Sequence, residues 1–329
     1  MALVEHVPTK RSLYAFVVTN ARAAVQVAAI GKDSVYAMTR EFVELLRRRE
    51  ARIDSAQSQI RIIDQRLQQL NASLYEAYIR PIEGDISAVS KLLVVLPGEL
   101  PSLPLHALRK SPFQNNPYLA EQYLVSYLPS ASALFLNGVQ LPIVRDVVAL
   151  GHPGETSWDV EYELRDIRAF YKDARLYFNQ QAILATLQKE HCDVLHMAAE
   201  VHFNDRKPGN SYLVLSDGQS ITSWKRVLFG ELFSLPTFAT VIISDLAADQ
   251  NAAHRSEPYI FLANGSGAVI MNVYVPSRKT KKFFGEIFYT ALLAGNTSQA
   301  AFRRVQLDMI KSPEYSSPFA WAPFFLWGK

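Results

Sequence analysis

From Asp146 onward, short runs rich in β-branched residues alternate with segments of helical periodicity: DVVALGHPG, VEYELRDIRAFY, ARLYFN, AILATLQKE and DVLHMAAEVHF. Parallel strands cannot be joined by a tight turn and need a crossover of about a dozen residues, which a helix of this length supplies. The alternation continues through ATVIISDLA, PYIFLANGS and AVIMNVYVP to two helical stretches, KKFFGEIFYTALLAG and SQAAFRRVQLDMI, and APFFLW reads as a closing strand. SYLVLSDGQSITS reads as a hairpin turning at Asp217-Gly218, and WKRVLFGEL as a helix. The expected class is α/β, with a largely parallel central sheet and helices on both faces.

The first part of the chain is built differently. SLYAFVVT and AAVQVAAIG, separated by the polar Asn20 and Arg22, predict a β-hairpin at the start of the fold. No Pro or Gly occurs from Asp33 to Tyr78, and Ile60, Ile63, Leu67, Leu70 and Leu74 recur at spacings of three and four. That is the stripe of an amphipathic helix. Thr39 to Arg52 carries a similar face (Phe42, Leu45, Leu46), so two helices over about 33–80 are expected, with a break near Asp54–Ser58. The stripe should face the body of the protein or the facing helix; left bare, it would be a partner-binding helix. KLLVVLPGELPSLPLHAL and YLVSYLPSASALF then each give a strand followed by a Pro-containing turn. The border between an N-terminal half, 1–140, and a C-terminal half, 141–329, is placed near Val139–Arg145.

Several classes of function are excluded early. A chain of 329 residues with 49% hydrophobic and 20% charged residues has the balance of a globular protein and length for two packed halves. Lys plus Arg number 34 against 31 Asp plus Glu, with no basic stripe interleaved with aromatics, so nucleic acid is not an expected partner. Arg47, Arg48, Arg49 and Arg52, and Arg278, Lys279, Lys281 and Lys282, read as solvated helix faces. No apolar run approaches the ~18 residues of a membrane span, and the start, MALVEHVPTKRS, does not read as a signal peptide. A cytoplasmic protein without membrane contact is expected. Phosphate loops are missing too: there is no GxxxxGK[ST], and GHPGE lacks the necessary glycine spacing, which leaves His152 as a turn residue.

Cys192 is the one cysteine, which removes intrachain disulfides, cysteine zinc clusters and Cys-x-x-Cys redox chemistry. Among the histidines, His196 and His202 flank the end of DVLHMAAEVHF, and on one continuous strand residues 196, 200 and 202 would share a face. His196, Glu200 and His202 crowded on a single strand do not reach around a tetrahedral ion, so no metal and no cofactor is expected.

The runs KLLVVLPGELPSLPLHAL, YLAEQYLVSYLPSASAL, CDVLHMAAEVHF, TVIISDLAAD, FLANGSGAVIMNVYVP and WAPFFLWG, in this order, resemble the CHAT domain, a caspase-like member of the peptidase clan that contains caspases and separase. The resemblance implies two caspase-like halves, the first degenerate, and a cysteine-histidine dyad at the ends of two adjacent strands of the second. The family reads close to HFATHG after one strand, where this chain has His196-Met197-Ala198-Ala199-Glu200-Val201. After the next it reads close to LSACETG, where this chain has Ile243-Ser244-Asp245-Leu246-Ala247-Ala248-Asp249. Glu200 thus stands at the catalytic histidine and Leu246 at the nucleophile. Leucine offers no nucleophile, and a carboxylate does not exchange protons near neutral pH without a large pKa shift.

The expectation is therefore a catalytically inactive pseudo-protease, without cofactor, acting as a protein-interaction or regulatory module. Its groove would be lined by His196, Glu200, His202, Ser244, Asp245 and Leu246. The partner would be a protein or peptide; TPR repeats, which usually precede such domains and are not visible here, or another CHAT-containing chain are the candidates. The alternative is a hydrolase with a recruited site, using Ser244 as nucleophile with Asp245, Glu200 and His202.

Overall fold

In a computed structural model the chain is described except at residues 52–56, 98–102, 112–115, 137, 140–142, 153–158, 203, 205–206, 208–209, 221–222 and 245–255, and at the side chains of 50–51, 57–59 and 256–257. It divides into two contact-dense units, Met1–Ala131 with Met309–Ala322, and Ser132–Asp308 with Pro323–Lys329. The tail of the chain is thus shared between the units. No helix of the described residues is long and apolar enough to cross a membrane.

The first unit opens with β1 (Ala2–Pro8), β2 (Leu13–Thr19) and β3 (Ala23–Ala28). The expected hairpin is β2–β3; a strand precedes it, so the start is a three-stranded meander, with β1 antiparallel to β2. Glu5 and His6 obscure β1 in the sequence, although its alternation is sound: Ala2, Val4 and His6 are buried between less buried neighbours. Next come α1 (Lys32–Ala51), α2 (Gln57–Tyr78) and α3 (Glu83–Ile86), then β4 (Lys91–Val95), α4 (Leu119–Gln122) and β5 (Leu124–Tyr127). The sheet order is β3-β2-β1-β4-β5, with β4 parallel to both β1 and β5. On α2, Ile63, Leu70 and Leu74 are buried and Ile60 and Leu67 half-buried; α1 is the facing helix and buries Phe42 and Leu46.

The second unit carries β6 (Val147–His152), α5 (Val160–Phe170), β7 (Arg175–Phe178), α6 (Leu184–Lys189), β8 (Val194–Ala199) and β9 (Val201–His202). These are followed by β10 (Tyr212–Ser216), β11 (Trp224–Leu228), β12 (Thr240–Ile243), α7 (Ser256–Ala263), β13 (Ala268–Asn272), α8 (Arg278–Leu293), α9 (Ser298–Lys311) and β14 (Phe324–Trp327). The sheet runs β14-β13-β12-β8-β6-β7, all parallel except the antiparallel β14. Every residue of β6, β8, β12 and β13 is buried. Burial on both faces is why these strands read as continuous apolar runs rather than alternating ones.

Three readings need correction. WKRVL is a strand, not part of a helix: β11 pairs antiparallel with β10, and only the following Phe229–Ser234 turns, as a 3₁₀ helix. DVLHMAAEVHF is not one strand. β8 stops at Ala199, and β9 belongs to a separate three-stranded sheet, β11-β10-β9. His152 is the buried last residue of β6 rather than a turn residue.

Glycine is obligatory at position 267, where a Cβ would lie 2.0 Å from the Val139 carbonyl oxygen. That oxygen and the Ala239 carbonyl oxygen, at 3.1 Å, are both backbone, so neither can swing away. Gly267→Ala should cost about 2 kcal/mol by overpacking, read as a lowered midpoint in urea; an unchanged midpoint would show that the backbone around Val139 yields freely.

Candidate functional site

The strands expected to carry the dyad positions are immediate parallel neighbours. β8 and β12 pair with His196 beside Ile242 and Met197 beside Ile243, and the Ser244 amide continues the ladder by donating to the Met197 carbonyl at 3.1 Å. Glu200 and Ser244 thus leave adjacent strands at the same sheet edge, where ligand sites of open α/β sheets form. Leu246, Asp245 and Ala247–Asp249 lie outside the described residues, as does His254.

Glu200 is only 8% exposed. Its Oε1 accepts a hydrogen bond from His202 Nε2 at 2.7 Å, and its carbonyl accepts from the Val214 amide at 2.9 Å. The His202 ring stacks on Tyr212, its cross-strand partner, at 4.6 Å and 15°, and the Arg226 guanidinium lies 4.8 Å from the Tyr212 ring centre. Glu200 is therefore fixed through main chain and side chain by the β9–β10 pairing. The hydrogen bond from His202 and the main-chain bond from Val214 together hold the Glu200 side chain in one position.

His196 is not part of this pair. The break at Glu200 sends His202 into the second sheet, while His196 remains on β8 facing α5 and α8. Its Nε2 meets Glu163 Oε1 at 2.8 Å and its Nδ1 meets the Tyr289 hydroxyl at 2.7 Å. Lys281 Nζ binds the other Glu163 oxygen at 3.2 Å. Burial pushes the Glu163 carboxyl up, but the Lys281 charge and the His196 hydrogen bond outweigh it and hold it well below the carboxylate range. With Nε2–H donated to an ionised Glu163, Nδ1 is left to accept the Tyr289 proton. Both ring nitrogens are spent, so this imidazole has no lone pair to offer a nucleophile. Burial, and then the Glu163 charge, raise the Tyr289 hydroxyl far above its usual range.

Ser244 Oγ is buried on the same face, close enough to favour the ionised Glu163, yet it makes no hydrogen bond of proper geometry among the described residues. Between the sheet face of His196, Ile242 and Ile270 and the helix residues Glu163, Phe284 and Tyr289 lies a cavity of about 40 Å³. That volume suits a water molecule, not a substrate. Cys192, partly buried, has its thiol pushed up to about 12 by burial and by the Asp146 charge, and so is a poor thiolate source. Among the described residues, no three His, Cys, Asp or Glu side chains converge on a metal position.

Glu163 and Tyr289 carry no motif in the sequence, and Lys281, expected on a solvated helix face, is buried with a side chain 10% exposed. The signal was present. Val160, Glu163, Ile167 and Phe170 follow helical spacing, as do Lys281, Phe284 and Phe288, so each stripe contains one charged residue where an apolar one would be ordinary.

The CHAT domain model matches residues 68–329. No curated protein matches the chain. A solved structure of the Saccharomyces cerevisiae separase–securin complex aligns with a TM-score of 0.62 at 10% identity, over 99% of this chain and 30% of that one. A second structure of that complex aligns with a TM-score of 0.47 at 12% identity, over 90% and 23%. The chain spans under a third of the separase chain it matches, and at this identity the first alignment shows a caspase-like fold and nothing more. With the family model covering most of its length, the chain belongs to the CHAT domain family.

Proposed function

We propose that this protein is a non-catalytic CHAT domain of the cytoplasm that uses its caspase-like scaffold to bind a protein or peptide partner. The reading rests on one observation: the residue at the family's catalytic-histidine position, Glu200, is a buried carboxylate tied to His202 and to the β9–β10 sheet. Locked there, it serves as neither a mobile base nor an imidazole substitute, and Leu246 at the nucleophile position has no chemistry to offer. The remaining histidine on β8, His196, has both nitrogens engaged. Ser244, the nucleophile of the alternative hydrolase, sits with Glu163 and His196 rather than with the Glu200–His202 pair.

The test is labelling and turnover. The purified chain should be silent towards a fluorophosphonate and a peptide chloromethylketone and should leave a diverse fluorogenic peptide library uncleaved. Turnover that disappears on Ser244→Ala would overturn the proposal in favour of a recruited hydrolase.

A further inference from the structure

The outer face of the meander is an apolar surface on a sheet whose last strand is open. Val7, Phe16, Val18, Val25 and Val27 are 40–54% exposed, and the register places them on one face of β1, β2 and β3, with Glu5 as the charged residue among them. β3 ends the sheet of the first unit, and among the described residues it pairs with β2 alone. Its opposite side is occupied, with Gln26 donating to Asp85 at 2.8 Å. Edge strands are ordinarily blunted by lysine, proline or a bulge, because their unpaired N–H and C=O groups are a template for another strand. β3 has none of these: residues 23–29 read Ala-Ala-Val-Gln-Val-Ala-Ala, and the register with β2 runs without interruption from 18↔23 to 13↔28.

We propose that β3 is a self-pairing strand through which two copies of this chain form a two-fold dimer, joining their meanders edge to edge. The choice of occupant follows from the sequence, because residues 23–29 are a palindrome about Gln26. Antiparallel pairing centred there sets Gln26 opposite Gln26, Ala24 opposite Ala28 and Val25 opposite Val27. Each strand thereby meets its own complement, as a two-fold interface requires. Residues paired across strands share a face, so the four valines join the two apolar outer faces into one continuous strip. A partner chosen by charge would need a charge to read, and this edge carries none. Strand pairing of this length buries less than the ~800 Å² per partner of a standard interface, the size class of weak and transient contacts, so the equilibrium is sought over a wide concentration range. The inference stands independently of the catalytic positions.

Sedimentation velocity of the full chain from about 1 to about 200 µM should show a monomer–dimer equilibrium. Val25→Lys with Val27→Lys puts lysine against lysine at both pairs and should leave a monomer throughout. Val25→Glu with Val27→Lys sets the introduced carboxylate of each copy against the introduced ammonium of the other, and should restore a dimer that dissociates as salt is raised. Hydrogen exchange on the unmodified chain gives a readout that needs no variant, since those amides of residues 23–29 that point away from β2 should be protected at high concentration and exchange at low. A wild-type monomer across the range, a dimer that survives the double lysine change, or exchange of those amides that ignores concentration would each overturn the proposal, and the first would leave the edge to a foreign strand.

Discussion

Lowering the pH from 7 to 5 removes about 4 kcal/mol of stability from the first unit, through two buried histidines that fold only in the neutral form. His6 donates from Nε2 to the Tyr78 carbonyl at 3.0 Å, while its Nδ1 is buried with no hydrogen-bond partner among the described residues. Protonation would place a charged N–H where nothing accepts it, and burial lowers the His6 pKa to about 4. His106 is satisfied as a neutral ring, with Nε2 meeting the Ala322 carbonyl at 3.1 Å and Nδ1 the Tyr127 hydroxyl at 2.8 Å; burial lowers its pKa to about 3.

Unfolded, both titrate near 6.5. Between 6.5 and the folded values the unfolded chain holds more protons, so stability rises with pH and falls on acidification. Each histidine then costs ~1.4 kcal/mol per pH unit below 6.5, until the folded ring itself takes up a proton. His6→Gln and His106→Gln keep the donor at the Nε2 position and cannot titrate. Each should flatten the dependence of unfolding free energy on pH by that amount per unit between pH 6.5 and 5. Slopes identical to wild type would show that neither ring is buried neutral.

The sequence disclosed the parallel core because its strands are buried on both faces, and a run such as TVII or AVIMN has few other uses. It disclosed the α1–α2 pair because no Pro or Gly interrupts the helical stripe. It concealed β1, whose inward His6 looks like a polar interruption, and it concealed the break at Glu200. That break depends on a pairing with β10, which lies ten or more residues further along, and no local pattern reports a partner at that distance. The same limit hid the Glu163 cluster. An ion pair between α5 and α8 joins residues more than a hundred positions apart, and each helix alone shows only a charged residue out of place.

That cluster supports the second large effect. Glu163→Ala leaves Lys281, with a side chain 10% exposed, and the His196 Nε2–H facing the gap without their carboxylate, and should destabilise the second unit by about 3–5 kcal/mol, the usual penalty for breaking a buried pair. Lys281→Met strands the Glu163 charge with His196 as its remaining strong donor and should cost about 3 kcal/mol. Glu163→Gln with Lys281→Met behaves differently. The amide oxygen still accepts from His196 Nε2, no net charge remains buried, and replacing a buried ion pair by neutral groups of similar shape is often harmless.

The double variant should therefore lie within about 1 kcal/mol of wild type, far from the sum of the single losses. Acid adds a further signature. Because the folded Glu163 carboxyl titrates far below its unfolded value of 4.5, its contribution is complete above that pH and is lost as pH falls below it. The double variant should lack this part of the acid dependence. Additive losses in denaturant melts would mean that Glu163 and Lys281 act separately, and that the cluster beneath β8 is held by packing alone.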